Sequence, residues 1–210
     1  AIEFLLQSGA DVNYRYENGE NLLHIACLHA RLDIVKLLHS RNANLVNEFD
    51  NDKRSVGHSI ASGGSVETLE FFLPLGLNLS CTDSTGWNIL HYACWYAKKD
   101  MAEYLLDKHP NLLCNVTKEV ISVLLCAAFG GNLGIFKKIY ELLHPSLRAD
   151  QNTHSDENST NDIRNMVHKT TDEQTLLHMS CQGGGLEMTK YLVETYPKML
   201  HEVDNGKRTP

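Results

Sequence analysis

No hydrophobic run in the sequence approaches the ~20 residues that a membrane helix needs. Glu, Lys, Asp or His interrupts every apolar stretch, so no membrane span is expected in this segment. Basic clusters are equally scarce. The longest are pairs such as Lys98-Lys99, Lys137-Lys138 and Lys207-Arg208, and 19 Lys+Arg stand against 26 Asp+Glu for a formal charge of −7. Affinity for a phosphate backbone comes mostly from clustered Lys and Arg, so this balance speaks against nucleic acid as a partner. Cysteine is sparse too, six in 210 residues with no CxxC pair. That is too few to replace a core with disulfides, and it removes the commonest zinc and thiol-redox spacings. Cys27, Cys94, Cys126 and Cys181 sit in helical, small-residue-rich runs and read as buried reduced thiols, which points to an intracellular, cytoplasmic location. The sequence also lacks a Gly-x-Ser-x-Gly elbow and a Gly-x-x-x-x-Gly-Lys-Ser/Thr phosphate loop. The expectation is a non-enzyme with no catalytic residue, no cofactor and no metal site.

What the sequence does contain is an ordinary globular composition, 42% hydrophobic and 21% charged, and a repeat. Four segments share a cap-type residue, two residues, His and then small residues: Asn21-Leu22-Leu23-His24-Ile25-Ala26-Cys27, Ser55 to Ala61, Asn88 to Cys94 and Thr175 to Cys181. A fifth, Ser122 to Ala128, has Leu125 at the His position, and Thr209-Pro210 opens another. The lead residues Asn21, Ser55, Asn88, Ser122, Thr175 and Thr209 are spaced by 34, 33, 34, 53 and 34 residues, a regular repeat with one expansion.

Every lead residue has a short polar side chain able to accept from the free N–H groups of a helix's first turn, so each marks a helix start. After each lead residue a run of eight or nine residues ends near a small residue (Ala30, Gly64, Ala97, Gly131, Gly184), where a tight turn costs little. A second amphipathic run follows each time, as in Ile34-Val35-Lys36-Leu37-Leu38 and Met101-Ala102-Glu103-Tyr104-Leu105-Leu106. Helices this short are marginal alone and must be held by stacking on their neighbours. The pattern predicts an all-α solenoid of stacked helix-turn-helix repeats.

These residues resemble the ankyrin repeat. Its Gly-x-Thr-Pro-Leu-His-x-Ala-Ala run is matched by Gly19 through Cys27 and Gly86 through Cys94, and its Gly-Ala-Asp-Val-Asn by Gly9 through Asn13. The match is partial in detail: the proline survives only at Pro210, and Gly57 and Leu125 replace the motif's Leu and His. The resemblance implies β-hairpin-like fingers projecting between repeats, and a concave surface of fingers and first helices that binds a protein partner. The implied domain is a single ankyrin array over 1–210. It divides into repeats at 1–16 (partial), 17–49, 50–82, 83–116, 117–169, 170–203 and 204–210 (partial). A polar insertion at 145–171 expands the fifth. That insertion reads as a tolerated surface loop, with phosphorylation or docking through Ser155, Ser159 and Thr160 the alternative. Phe4, Leu5 and Leu6 at one end and Thr209-Pro210 at the other suggest further repeats on both sides.

The evenly spaced His24, His58, His91 and His178 could suggest a metal set. Packed helices lie ~8 to 10 Å apart, whereas a zinc ligand sits ~2 Å from its ion, so one His per layer cannot converge. In the family this His is structural. The groove-facing positions implied by the resemblance are the two before each small turn: Leu28-His29, Ser62-Gly63, Trp95-Tyr96, Phe129-Gly130 and Gln182-Gly183. Trp95, Tyr96 and Phe129 are the aromatic anchors among them, joined by the finger residues Tyr16, Phe49, Trp87 and Lys118. The alternative for Trp95 is packing between repeats. Gly183-Gly184-Gly185 and Gly63-Gly64 read as turn glycines. Asn13 resembles the loop asparagine that ankyrin repeats offer to an asparaginyl hydroxylase, although turn hydrogen bonding is its simpler role. The leading function is a non-enzymatic protein-interaction module. The alternative is the regulatory ankyrin arm of a larger enzyme or membrane channel. The partner's identity and the oligomeric state are not encoded in the pattern.

Overall fold

A polar side chain opens every first helix. Asn21 Oδ1 accepts from Leu23 N and His24 N at 3.0 Å each, and Asn88 Oδ1 accepts from Leu90 N and His91 N at 3.0 and 3.2 Å. Ser122 Oγ accepts from Leu125 N at 3.3 Å and Thr175 Oγ1 from His178 N at 3.5 Å. The two Asn caps do more, because their amides also donate to Leu45 O and Leu112 O, at 3.0 and 2.8 Å. Each thereby ties the start of a first helix to the segment that follows the second.

A computed structural model describes residues 4, 7–114, 122–143, 169–183 and 185–210. The helices pair as the sequence predicts: α1 Leu22–Leu28 with α2 Leu32–Arg41, α3 Val56–Gly63 with α4 Val66–Phe72, and α5 Ile89–Trp95 with α6 Lys99–Lys108. Then come α7 Val123–Gly130 with α8 Leu133–Leu143, and α9 Leu176–Gly183 with α10 Leu186–Thr195. Among the described residues, short 3-10 segments follow second helices at Ala43–Asn47, Leu73–Leu75, Pro110–Cys114 and Pro197–His201. Among the described residues β structure is confined to two isolated bridges, Arg15 with Asn21 and Phe49 with Ser55, each closing a finger. The expected all-α helix-turn-helix architecture is therefore the observed one. Ala30, Gly64, Ala97 and Gly131 have positive φ, as turn residues between paired helices should. Lys118 and most of the polar insertion lie outside the described residues. Among those residues no helix is long and apolar enough to cross a membrane.

The chain forms two compact units. The first comprises 1–93 and 100–112, the second 94–99 and 113–210. In the first, Leu23, Val35, Leu38, Ile60, Leu69, Phe72, Leu90, Met101 and Leu105 are buried to 1% exposure or less. In the second, Leu124, Leu125, Phe136, Ile139, Leu177, Met188 and Leu192 do the same. Each such aliphatic or aromatic side chain contributes roughly 1.5 to 3 kcal/mol on burial. Cys27, Cys94 and Cys126 are buried thiols, and burial pushes each of them up from its ordinary value. Cys181 differs from the expectation in being exposed. Cys27 and Cys94 lie where the following first helix, α3 and α7 respectively, approaches their backbone.

Glycine has a second use at the end of the first helices. Gly63, Gly130 and Gly183 are helical residues without positive φ. A Cβ on Gly63 would overlap the carbonyl oxygen of Cys27, one on Gly130 that of Cys94, and one on Gly183 that of Phe129. Gly63 and Gly183 thus serve close backbone approach between first helices, rather than the turn role their Gly-rich context suggested. Gly134, exposed in α8, meets nothing closer than 3.4 Å. Gly183→Ala is expected to lower stability by about 1 to 3 kcal/mol through overpacking, and Gly134→Ala to raise it by about 0.5 to 1 kcal/mol. Urea denaturation of the two variants beside the parent measures both signs.

Candidate protein-binding surface

The repeated histidines fix the frame on which this surface is built. His58 Nδ1 faces the Ser55 hydroxyl at 2.9 Å and the Ser55 backbone N–H at 3.0 Å, and His178 makes the same contacts with Thr175 at 2.9 and 3.2 Å. With Nδ1 accepting, Nε2 carries the proton and donates to a carbonyl in the following loop. The acceptor is Trp87 O for His58 and Arg208 O for His178, both at 3.0 Å. His24 Nε2 meets Arg54 O at 3.2 Å in the same way. Each acceptor is the residue just before the next repeat's cap. Burial pushes the pKa of His24 and of His58 below the ordinary value near 6.5, against the raising effect of those carbonyls. The rings are thus neutral structural ties. Among the described residues no group of three His, Cys, Asp or Glu is placed to hold a metal ion.

Carboxylates shape the finger tips. Asp50 Oδ1 accepts from Asp52 N and Arg54 N at 2.9 and 2.8 Å, and Asp50 Oδ2 pairs with Arg54 Nε. Asp204 holds Arg208 in the same manner, at 2.9 Å to its N–H and 2.8 Å to Nε. Asp83 stands at the equivalent position, but Trp87 occupies the arginine's place. There Asp83 accepts from Thr85 N, Thr85 Oγ1 and Trp87 N at 2.7 to 2.9 Å, and from the Tyr92 hydroxyl at 2.7 Å. Burial raises the Asp83 carboxyl, yet these hydrogen bonds outweigh it and hold the group below the usual carboxylate range. Neighbouring fingers are joined through Asn51 N to Asn18 O at 3.0 Å, Ser84 N to Asp52 O at 2.7 Å and Asn205 N to Asp172 O at 2.9 Å.

On this frame the candidate residues separate. In the second unit Trp95 and Phe129 stack with ring centroids 3.6 Å apart and planes 8° from parallel, and both are half-buried. The packing alternative for Trp95 therefore holds in part: one face of its ring is covered by Phe129. Next to Trp95 in the chain, Tyr96 is 52% exposed. In the first unit Tyr16 and Phe49 are 44% and 46% exposed on adjacent fingers, at matching positions one residue before Glu17 and Asp50. Trp87 lies on the return limb of its finger, half-buried, with Tyr92 edge-on to it at 5.5 Å. Asn13 is exposed, its Oδ1 accepting from Asn42 Nδ2 at 2.7 Å and its backbone N–H donating to Asp11 Oδ1 at 2.8 Å. One feature escaped the sequence reading. A cavity of about 550 Å³ is lined by Tyr14, Tyr16, Leu22, Ile25, His29 and Ile34, among others. Its helical walls are the stacking face of that repeat, since the positions equivalent to Leu22, Ile25 and Ile34 are buried in the next two repeats as Val56, Ser59 and Thr68 and as Ile89, Tyr92 and Met101.

Paired short helices, left-handed turns, bonded fingers and histidine rings that reach the following loop in three repeats define a helix-turn-helix repeat protein of ankyrin type. Comparison with known proteins agrees. A family profile described as "Ankyrin repeats (3 copies)" matches residues 42–118 and one described as "Ankyrin repeats (many copies)" matches residues 1–39. The two cover more than half of the sequence, and the chain belongs to the ankyrin-repeat family. It is similar to "Calmodulin-binding transcription activator 6" of Arabidopsis thaliana, 34% identical over 88 residues, which is 40% of this chain and 10% of that protein. It is also similar to "Calmodulin-binding transcription activator 5" of the same organism, 31% identical over 90 residues, 42% of this chain and 9% of that protein. The match spans about a tenth of the length of these curated relatives. Ankyrin repeats are generally protein-interaction modules.

The neutral histidines make stability depend on pH. Unfolded, these rings take up protons below about pH 6.5, while folded His24 and His58 resist doing so. Stability is therefore full above about pH 6.5 and falls as the solution is acidified below it. His58→Leu, which copies the natural Leu125, is expected to cost about 1 to 2 kcal/mol near neutral pH and to flatten this dependence. Urea midpoints of parent and variant between about pH 7.5 and about pH 5 provide the measurement.

Proposed function

We propose that this segment holds a protein partner on its first-helix ends and fingers, with Trp95, Tyr96 and Phe129 as the anchor. The observation that carries this reading is the Trp95–Phe129 stack. Two large rings from neighbouring first helices remain half-buried beside Gly130 and Gly183, which have no side chains to cover them. Part of each ring stays open to contact. Aromatic residues of this kind dominate protein recognition, each worth ~2 kcal/mol or more on truncation. Tyr16 and Phe49 extend the reading to the fingers. Trp87, half-buried on the return limb of its finger with Tyr92 edge-on to it, remains a candidate. Lys118 remains a candidate on sequence grounds.

The match to about a tenth of two much longer proteins also favours the alternative, in which these repeats serve as the regulatory arm of a larger protein. Both readings use the same surface.

The stack divides the expected effects of mutation. Tyr96→Ala should leave the melting temperature within a few degrees of the parent and weaken partner capture about tenfold or more. Trp95→Ala should weaken capture at least as much, and should also cost about 0.5 to 1.5 kcal/mol from the lost stacking. Capture of a partner from cell extract by each immobilised variant, scored beside its thermal melt, tests this. Purified calmodulin, named in the relatives' titles, is presented in the same assay. Unchanged capture by both variants would assign the aromatic cluster to folding alone.

A further inference from the structure

The turns between paired helices lie side by side in the second unit, around the aromatic stack. Gly130 rests against the carbonyls of Cys94 and Trp95, Gly183 against that of Phe129, and Gly185 against the backbone of Gly131. These close approaches bring residues 94–99, 128–134, 180–183 and 185–186 into one row. Along it the sequence places the rings of Trp95, Tyr96 and Phe129, the lysines Lys98 and Lys99, and no Asp or Glu. On a chain with 19 Lys+Arg against 26 Asp+Glu, such a row is a local reversal of sign. The next acidic residue along the chain, Asp100, lies in the first turn of α6.

Lys98 gives that reversal a use. It stands ten residues after its lead residue, where other repeats carry Ser65 and Asn132. Ser65 Oγ accepts from Thr68 N and Asn132 Oδ1 from Ile135 N, each at 3.1 Å, and so each caps a second helix. An ammonium group has no lone pair to accept with, so Lys98 does not fill that role. Arg31, at the same position of an earlier repeat, is paired with Asp33 at 3.0 Å. Lys98 is half-buried and has no ion-pair partner among the described residues. It sits three residues beyond Trp95, across the left-handed turn at Ala97. A Lys or Arg brought to these rings by a partner would face lysines and no carboxylate, whereas an Asp or Glu would meet complementary charge.

Resting on the protein-interaction reading, we propose that the anchor of Trp95, Tyr96 and Phe129 takes an acidic, apolar segment of a protein partner, in which a Trp, Phe or Leu side chain is flanked by Asp or Glu. The apolar side chain lies against the open parts of the rings, over Gly130 and Gly183. A flanking carboxylate pairs with Lys98. Charge complementarity selects this occupant: a basic segment is repelled, and a neutral one gains only the apolar contact.

The test uses the full 210-residue chain and synthetic peptides with one central Phe flanked by Glu, by Gln or by Lys. In titrations followed by backbone amide NMR, the Glu peptide should shift residues 95–99 and 129–131. It should bind about two- to fivefold more tightly than the Gln peptide, with the Lys peptide weakest. Its advantage should shrink as NaCl rises from about 0.05 to about 0.5 M. Lys98→Gln should remove most of that advantage without altering the thermal melt, and Lys98→Glu should reverse the order of the Glu and Lys peptides. Equal binding of all the peptides at these residues would overturn the proposal and leave the aromatic anchor standing. No shift at 95–99 and 129–131 with any peptide would overturn both. An unchanged order in Lys98→Glu, or concentration-dependent dimerisation that covers the rings, seen by sedimentation, would also sink the acidic partner.

Discussion

Much of this structure depends on one imidazole ring with two obligations. In a short helix the first turn has N–H groups to satisfy, and the loop ahead of the next repeat has carbonyls to satisfy. A histidine three residues after the cap addresses both ends. Its Nδ1 faces the cap of its own helix and its Nε2 reaches a carbonyl 29 or 30 residues further along, as His24, His58 and His178 do. The helices are seven to eleven residues long and would be marginal in isolation. They persist because caps, rings and finger bonds each close a non-local loop, while apolar burial supplies most of the favourable free energy.

The groove-end aromatics exist within that frame rather than on top of it. Gly63, Gly130 and Gly183 let one first helix lie against the backbone of the preceding one, and where α7 meets the end of α5 this closeness brings Trp95 and Phe129 into parallel contact. A residue with a side chain at 130 or 183 would open the spacing and shorten the reach of the rings. In the proposed reading, packing and recognition are therefore coupled at Trp95 and separate at Tyr96.

Repeat length, helix pairing, caps and turns were all legible in the sequence, because each depends on one residue type at one register: Asn, Ser or Thr at the cap, His three later, Ala or Gly at the turn. What was not legible depends on neighbours distant in sequence. Gly183 sits in a Gly-Gly-Gly run and looks like a turn, yet its requirement comes from Phe129, 54 positions earlier. Asp83 stands where Asp50 and Asp204 hold an arginine, yet takes the hydroxyl of Tyr92, a pairing that the local finger sequence does not announce. The burial of Cys27 and Cys94 likewise draws on the following first helix, which the local run does not reveal.

Leu125 shows what the ring otherwise enforces. A nitrogen that must meet a carbonyl some 30 residues ahead works as a measuring rod, and insertions beyond it would pull the acceptor away. Ser122 still caps α7, but a leucine, buried and apolar, has nothing to measure with. The one repeat without the rod is also the one whose length departs from the rest, with 53 residues between its lead position and the next. A longer connection is compatible with that repeat, because no ring there has to span a fixed distance.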